Sequence, residues 1–393
     1  MAKTFDNLDD VLKSINKKFG DNVARVGVPQ LRSCGNLSLG SPALDFCLYN
    51  SLTEGKFVEL CGFESSGKTT LSFLIAASYI KTELQRRPDN PRSILFVDAE
   101  AACDPDWAYK STGYNMNDER VRTIYIEGAG QTAEEYFDIV RDCVSTGQVG
   151  LVIFDSLTML ATQQVQDESF EKKQMGGIAS ALGDFCKRTV GLFARHKCTF
   201  IGINGLTENI SGYGDPFHTP GGKTWKRTCM VRLRVKRGSF FNEEGEEIAK
   251  KEAQSPAGHI IEMYVEKTKV CPWDRKLGFC HLSYARGVDL FQDTIDVATY
   301  FGLIDNSTQG MFKLIDPETG EILVDEEGKE IKIRGKKNVK PYFEERPELF
   351  KSLYNKVYEM LAVKDDPNII AFEKLLGVDV DSIIGTNSDS DEE

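Results

Sequence analysis

Short apolar runs recur through the middle of the chain as KFVELCG, SILFVDAE, GLVIFDS and CTFIGIN, each parted from the next by a longer stretch with helical spacing. Near-continuous apolar strands alternating with helices predict a parallel sheet covered on both faces, because such strands bury both of their sides. Two further runs follow, CMVRLRVKRG and HIIEMYVEKT. In the first, Val231, Leu233 and Val235 alternate with Arg232, Arg234 and Lys236. That period of two is expected where one strand face is exposed, and it places this strand near an edge of the sheet. Ahead of the core, Phe5, Leu8, Val11, Leu12, Ile15 and Phe19 fall at helical spacing and Gly20 supplies a stop. They predict an amphipathic helix that either packs on its own domain or docks on a neighbouring subunit. After about residue 300, MFKLIDPETGEILVDEEGKEIKIRGKK reads as hairpins around PETG and EEGK turns, with a helical stretch from about Pro341 to Val363. The fold class is α/β, ending in a small α+β module.

Composition narrows the chemistry. The 393 residues suit two or three domains, and Lys plus Arg number 48 against 60 Asp plus Glu, a net charge of −12. A nucleic-acid role must therefore rest on a local patch. Residues 219 to 237 provide one, with seven basic side chains and no acid, unless Arg232, Arg234 and Lys236 form an ordinary solvated strand face. The ten cysteines include no C-x-x-C pair and there are four histidines, which argues against a zinc site. The start, MAKTFDNLDD, lacks the apolar core of a signal peptide, and no apolar run is long enough to span a bilayer, so a reducing cytoplasm is expected. The last seven residues, NSDSDEE, carry four acids and are expected to be disordered.

The sharpest motif is Gly62-Phe63-Glu64-Ser65-Ser66-Gly67-Lys68-Thr69, which matches G-x-x-x-x-G-K-[ST] between a predicted strand and the helical TLSFLIAASYI that opens at Thr70. Its glycines let the backbone wrap phosphate so that N–H groups and a helix N-terminus face the anion; Lys68 adds charge and Thr69 can ligate Mg²⁺. Asp155 closes the strand GLVIF, where a second acidic group holds the metal shell in such ATPases. Asp98 and Glu100 close the intervening strand. Either is an ordinary solvated acid at a strand end, or Glu100 orients and polarises a water for attack on the γ-phosphate.

These motifs, together with FVDAEAACDP, MGGIASALGDFCKRTVGLFARHKCTFIGIN and YGDPFHTPGGKTWKRTCMVRLRVKRG, resemble in order and spacing the RecA family of homologous-recombination ATPases, in its bacterial or phage form. The resemblance implies a phosphate-loop ATPase core with a mostly parallel central sheet, an N-terminal polymerisation helix and a small α+β C-terminal domain. The corresponding division is 1–35, 36–298, 299–386 and an acidic tail at 387–393. It implies ATP and Mg²⁺ as cofactors, with Lys68 and Glu100 catalytic and Thr69 and Asp155 at the metal. Gly62, Phe63, Glu64, Ser65, Ser66, Gly67, Lys68, Thr69 and Thr70 would cradle the phosphates, and Asp104, Trp107 and Tyr284 would contact adenine. Lys267 and Lys269 would reach from one subunit toward the γ-phosphate of the next.

The partners so implied are single-stranded DNA, a homologous duplex and further copies of the chain in a helical filament, with single-strand-binding and loader proteins besides; a membrane is not among them. Two segments correspond to mobile DNA-binding loops, Gln166 to Gly176 and Leu206 to Thr219. Met175, Gly176, Gly183, Lys187, Ile210, Gly221, Gly222 and Lys223 are the DNA-contact positions; Lys187 read alone is an ordinary solvated helix lysine. The sequence departs from the family at Gly205, where a glutamine senses γ-phosphate, leaving that role to Asn204 or to Lys267 and Lys269. It departs also at Phe63, Ser180 and Arg227. The activity implied is ATP-dependent strand exchange; a hexameric helicase or an ATP-binding filament scaffold are the alternatives.

Overall fold

The strands predicted from their apolar runs form one sheet in a computed structural model, which describes residues 7–19, 24, 36–50, 52–128, 130–167, 177–209, 216–249, 251, 253–316, 319–325 and 327–361. Phe5, Met175, Gly176, Ile210, the end of the helical stretch at Val363 and the acidic tail lie outside them. In chain order the elements used below are α1 (Leu8–Phe19), β1 (Phe57–Cys61), α2 (Lys68–Arg86), β2 (Ser93–Asp98), α3 (Pro105–Thr112), β3 (Thr123–Glu127), α4 (Ala133–Ser145), β4 (Val149–Asp155), α5 (Gly177–His196) and β5 (Thr199–Asn204). There follow β6 (Thr207–Glu208), β7 (Phe217–His218), α6 (Gly222–Thr228), β8 (Val231–Phe241), β9 (Gly258–Thr268), β10 (Leu277–Ser283), β11 (Gly287–Val288) and α7 (Leu290–Tyr300). The last are β12 (Ile304–Asp305), β13 (Met311–Leu314), β14 (Lys332–Arg334), α8 (Val339–Glu344) and α9 (Pro347–Leu361).

The main sheet runs β11-β10-β9-β8-β1-β5-β4-β2-β3. From β8 to β3 every pairing is parallel, and β9, β10 and β11 extend the sheet antiparallel. Alternate residues feed opposite cores. Val58, Leu60, Ile94, Phe96, Leu151, Ile153, Ile201 and Ile203 face α2 on one side. Phe57, Leu95, Val97, Val152, Phe154 and Phe200 face α4 and α5 on the other, where Phe57 stacks on Phe200 and meets Phe193 edge to face. Each such buried side chain contributes about 1.5–3 kcal/mol before entropy is charged against it. The parallel α/β core predicted from the sequence is therefore present.

One expectation is corrected. The strand of alternating arginines, β8, is not near an edge: it lies between β1 and β9, with Leu233 in register with Leu60. Val231, Leu233 and Val235 are buried as expected, but the charged face meets carboxylates. Arg232 donates to Glu59 at 2.5 Å and pairs with Glu266 at 3.2 Å, Arg234 pairs with Glu266, and Lys236 lies over the Tyr264 ring. A period of two marks a strand with unlike faces; what covers the polar face is supplied by neighbours distant in sequence.

The C-terminal module builds a third core from α7, the antiparallel set β12-β13-β14, α8 and α9. Asp325 N–H donates to Lys329 O at 2.8 Å, closing a turn over EEGK, and Gly320 N–H to Asp316 O at 2.8 Å closes one at PETG. The helical stretch expected from Pro341 is two helices. Pro347 has no N–H and excludes helical geometry at the residue before it, so α8 ends and α9 begins with proline in its first turn. A buried polar link joins this module to residues 38–45. The fully buried Asp45 carboxylate accepts from Ser38 Oγ, Leu39 N–H and Tyr358 OH of α9 at 2.5, 2.7 and 2.9 Å, and burial pushes its pKa up to about 7. Among the described residues nine cysteines are free, Cys47, Cys61, Cys186, Cys198, Cys229 and Cys280 of them buried. No described helix is long and apolar enough to cross a membrane.

Candidate functional site

Parallel strands put their carboxyl ends along one edge, and the loops that leave those ends form a crevice. Here that edge is set by register: Cys61 stands opposite Asn204, and Asp98 opposite Asp155. The phosphate loop follows Cys61, Glu100 follows Asp98, and Asp155 ends β4.

The loop needs its glycines. Gly67 has φ +96 and a side chain there would run into Ile261, while one on Gly62 would collide with the Val235 carbonyl and Ser66 Oγ. Lys68 and Thr69 open α2. The Lys68 ammonium donates to Gly62 O and Phe63 O at 3.0 and 2.7 Å, so its charge stays inside the ring of backbone that a phosphate would fill. Burial draws its pKa down, against the pull of Asp155 and Glu100. Ser66 Oγ is buried and finds no hydrogen-bond partner among the described residues. Glu64 and Ser65 are exposed at the loop's tip, where Ser65 O accepts from Arg237 of β8 at 3.1 Å.

Thr69 Oγ1 donates to Asp155 Oδ2 at 2.7 Å, bringing together the hydroxyl and carboxylate singled out for the metal. Burial pushes the Asp155 carboxyl up to about 6; Glu100 and Asp98 add to that, and the Thr69 bond and Lys68 oppose it. Glu100 accepts a short bond from Ser156 Oγ, which fixes one carboxylate oxygen beside Asp155. Ser156 has no motif of its own; only its place after Asp155 could have drawn attention to it. Asp98 accepts from Tyr125 OH at 2.7 Å and from the Cys103 N–H at 2.8 Å, so it shapes the turn carrying Glu100 and Asp104.

The three residues assigned to the base fall in two groups. Asp104 caps α3 by accepting from Trp107 N–H at 2.9 Å, and Trp107 Nε1 donates to Thr70 Oγ1 at 3.2 Å, which ties α3 to the phosphate-loop helix. Tyr284 OH is 2.9 Å from His259 Nδ1, and burial together with the nearby Arg237 lowers the His259 pKa to about 4. Arg237 connects that pair to Ser65.

Lys267 and Lys269 lie elsewhere. Thr268 and Val58 both pair with Val231, so the pair sits four residues of β1, about 13 Å, short of Gly62. Lys269 is exposed, whereas Lys267 Nζ donates to the carbonyls of Lys226, Arg227 and Cys229 at 2.6, 3.1 and 2.5 Å, capping the C-terminal end of α6. Within one chain neither lysine reaches the phosphate loop.

Of the described positions expected to contact DNA, Gly221, Gly222 and Lys223 line a cavity of about 450 Å³ together with His218, Thr219 and Ile178. Lys187 is exposed and pairs with Asp184 at 3.0 Å. Gly183 is buried in α5, where a Cβ would stand 3.5 Å from Thr224. Asn204, the residue before Gly205, is fully buried: its amide donates to Glu59 Oε1 at 2.9 Å and Pro220 O at 3.1 Å, and Thr158 Oγ1 donates to its oxygen at 2.9 Å. Glu59 also accepts from Trp225 Nε1 at 2.7 Å and from Arg232, so a buried carboxylate on β1 gathers β5, α6 and β8. The sequence offered no motif for this hub.

Proteins named RecA are similar over nearly the whole length. That of Staphylococcus carnosus is 27% identical over 361 residues, covering 91% of each chain. That of Aquifex aeolicus is 28% identical over 359 residues, 90% of this chain and 92% of the relative. Among solved structures, the RadB recombinase matches with a TM-score of 0.47 at 17% identity, over 64% of this chain and 98% of its own. The family model for the RecA N-terminal domain matches residues 6–289. A match of that extent takes in the whole crevice and far more than half of the sequence, and the chain therefore belongs to the RecA family.

Proposed function

We propose that this recombinase ATPase binds ATP·Mg²⁺ in the crevice, assembles as a filament on single-stranded DNA, pairs it with a homologous duplex and exchanges strands. The observation that carries the reading is the convergence of Lys68, the Thr69–Asp155 pair and Glu100 on one sheet edge, beside the Asn204–Pro220 link that leads into the Gly221–Lys223 turn.

The residues suit the cofactors. Ser66 Oγ is an orphaned buried hydroxyl within the loop, a group a phosphate oxygen would satisfy. Thr69 and Asp155 are hard oxygen donors, and among the described residues no group of three or more acids, histidines and cysteines gathers to hold a metal. Magnesium asks for little more, since it keeps water and phosphate oxygens in most of its positions. Bound there, it would neutralise phosphate charge as the terminal phosphoryl group leaves. Lys68 would hold the phosphates, and Glu100, oriented by Ser156, would take a proton from the attacking water.

The placement of Lys269 supports a shared site. A cation set at the far end of the strand from its own phosphate loop serves ATP only if a neighbouring copy presents it, which would make assembly and hydrolysis interdependent. Backbone contact by Gly221, Gly222 and Lys223 would leave sequence to be read by base pairing.

The test is strand exchange between a fluorescent duplex and a matching or scrambled single strand, with ATP·Mg²⁺. The expected result is exchange with the matching strand alone and none with Lys68→Ala. Unwinding that ignores homology would replace this reading with a helicase.

A further inference from the structure

The second residue of the phosphate loop carries a large ring that does not turn into the core. Phe63 is 47% exposed, and its ring meets that of Phe217 edge to face, with centroids 4.7 Å apart and planes at 83°. Phe217 opens β7, the returning strand of a hairpin in which Thr207 pairs with His218 and Glu208 with Phe217. That strand runs directly into Thr219, Pro220 and the glycine pair at the head of α6. One aromatic contact thus joins the loop holding Gly62 and Lys68 to the segment that leads to Lys223.

The base of the same hairpin is held by other means. Gly205 offers its backbone N–H, which Thr158 Oγ1 accepts at 2.6 Å, and a Cβ at that position would meet this oxygen at 3.2 Å. The Asn204 amide is committed to Glu59 and Pro220. The backbone already links the two, since the Asn204 carbonyl accepts from Gly62 N–H at 3.3 Å; among the described residues the ring of Phe63 adds a side-chain link, farther along the hairpin.

We propose that Phe63 and Phe217 form a positioning contact through which the β6–β7 hairpin responds to phosphate bound in the loop. The inference rests on the nucleotide reading of that loop. Lys68 donates to Phe63 O, so an anion that draws the ammonium competes for the carbonyl of the very residue that bears the ring. Edge-to-face pairs have a preferred geometry, and a shift of one ring changes the favoured place of the other. The hairpin has two residue pairs, an element small enough for a modest bias to move.

Amide hydrogen exchange of residues 204–219 in the full chain, with and without ATPγS·Mg²⁺, tests this in the wild type, Phe217→Ala and Phe217→Tyr. The wild type and Phe217→Tyr should show a nucleotide-dependent change, and Phe217→Ala should lose most of it while its ATPγS affinity stays within about twofold. In parallel, the ratio of ATPγS affinities with and without oligo-dT should fall by about 3- to 10-fold in Phe217→Ala, the range spanned by one aromatic pair. An unchanged response in Phe217→Ala, or a wild-type hairpin that ignores bound nucleotide, overturns the proposal. A responding hairpin in a chain without strand exchange would keep the contact and remove the recombination reading; exchange with a silent hairpin would do the reverse.

Discussion

If Glu100 is the general base proposed above, it works with one carboxylate oxygen held by Ser156. Glu100→Gln should keep nucleotide binding and lower phosphate release by about 10²–10⁴-fold, the usual weight of a general base. Ser156→Ala, which removes the orienting bond, should cost less, about 1 kcal/mol or roughly fivefold. Phosphate release with a parallel fluorescent-ATP titration measures both. Asp45, outside the crevice, makes a prediction about stability. A carboxyl whose pKa lies above its unfolded value binds its proton more tightly in the native state. Its contribution is complete below the unfolded value of 3.8 and is lost as pH climbs through about 7. The loss is bounded by about 4 kcal/mol. Thermal melts at pH 5.5 and pH 8 should show the wild type falling with pH, and Asp45→Asn, whose amide still serves Leu39 and Tyr358, should be flatter.

Among the elements, α6 depends on a residue far along the chain. Its last carbonyls take Lys267, and a charged donor at a helix C-terminus satisfies orphan carbonyls and opposes the dipole. Lys267→Met should lower the urea midpoint by an amount equal to about 1 kcal/mol or somewhat more, and Lys269→Ala should change it by less than about 0.5 kcal/mol. If the lysines meet a neighbour's nucleotide, Lys269→Ala should nonetheless reduce hydrolysis at assembling concentrations. The sequence distinguishes these elements unevenly. β1, β2, β4 and β5 were legible because a strand buried on both sides writes a continuous apolar run, and the phosphate loop because phosphate contact demands particular residues at fixed spacing. β8 was misplaced because alternation records that a face is polar without recording Glu59 and Glu266, which satisfy it. The helical stretch from Pro341 hid a break that Pro347 makes plain once the chain is seen to turn there. Ser156 and Phe217 were illegible, and Asn204 was named without its partners, since each acquires its meaning from a residue 56, 154 or 145 positions away.

For the whole molecule, a net charge of −12 has to coexist with a basic stretch at residues 219 to 237. The internal pairing of Arg232 and Arg234 removes two of its charges from the surface, which leaves Lys223, Lys226 and Arg227 as cations nearer the glycine turn. The C-terminal module adds Arg334, Lys336 and Lys337, although Lys332 pairs with Glu330 and Lys340 with Asp289. Against so thin a surplus, the four acids of residues 387–393 weigh heavily. Deleting those seven residues should tighten duplex binding at low ionic strength, with the gain shrinking as salt rises; an anisotropy titration at two salt concentrations checks it.

The free thiols have a practical consequence. Cys61 lies on β1, Cys198 and Cys229 belong to the core beneath α5, and Cys280 to that beneath α2; burial raises the pKa of all four. A protonated, enclosed thiol is inert to alkylation until its surroundings open. The chain therefore carries intrinsic reporters of breathing on both faces of its sheet. Pulse alkylation followed by peptide mapping would time the loosening of each layer separately, in the unmodified protein, and would show which of them tightens when nucleotide or DNA is added.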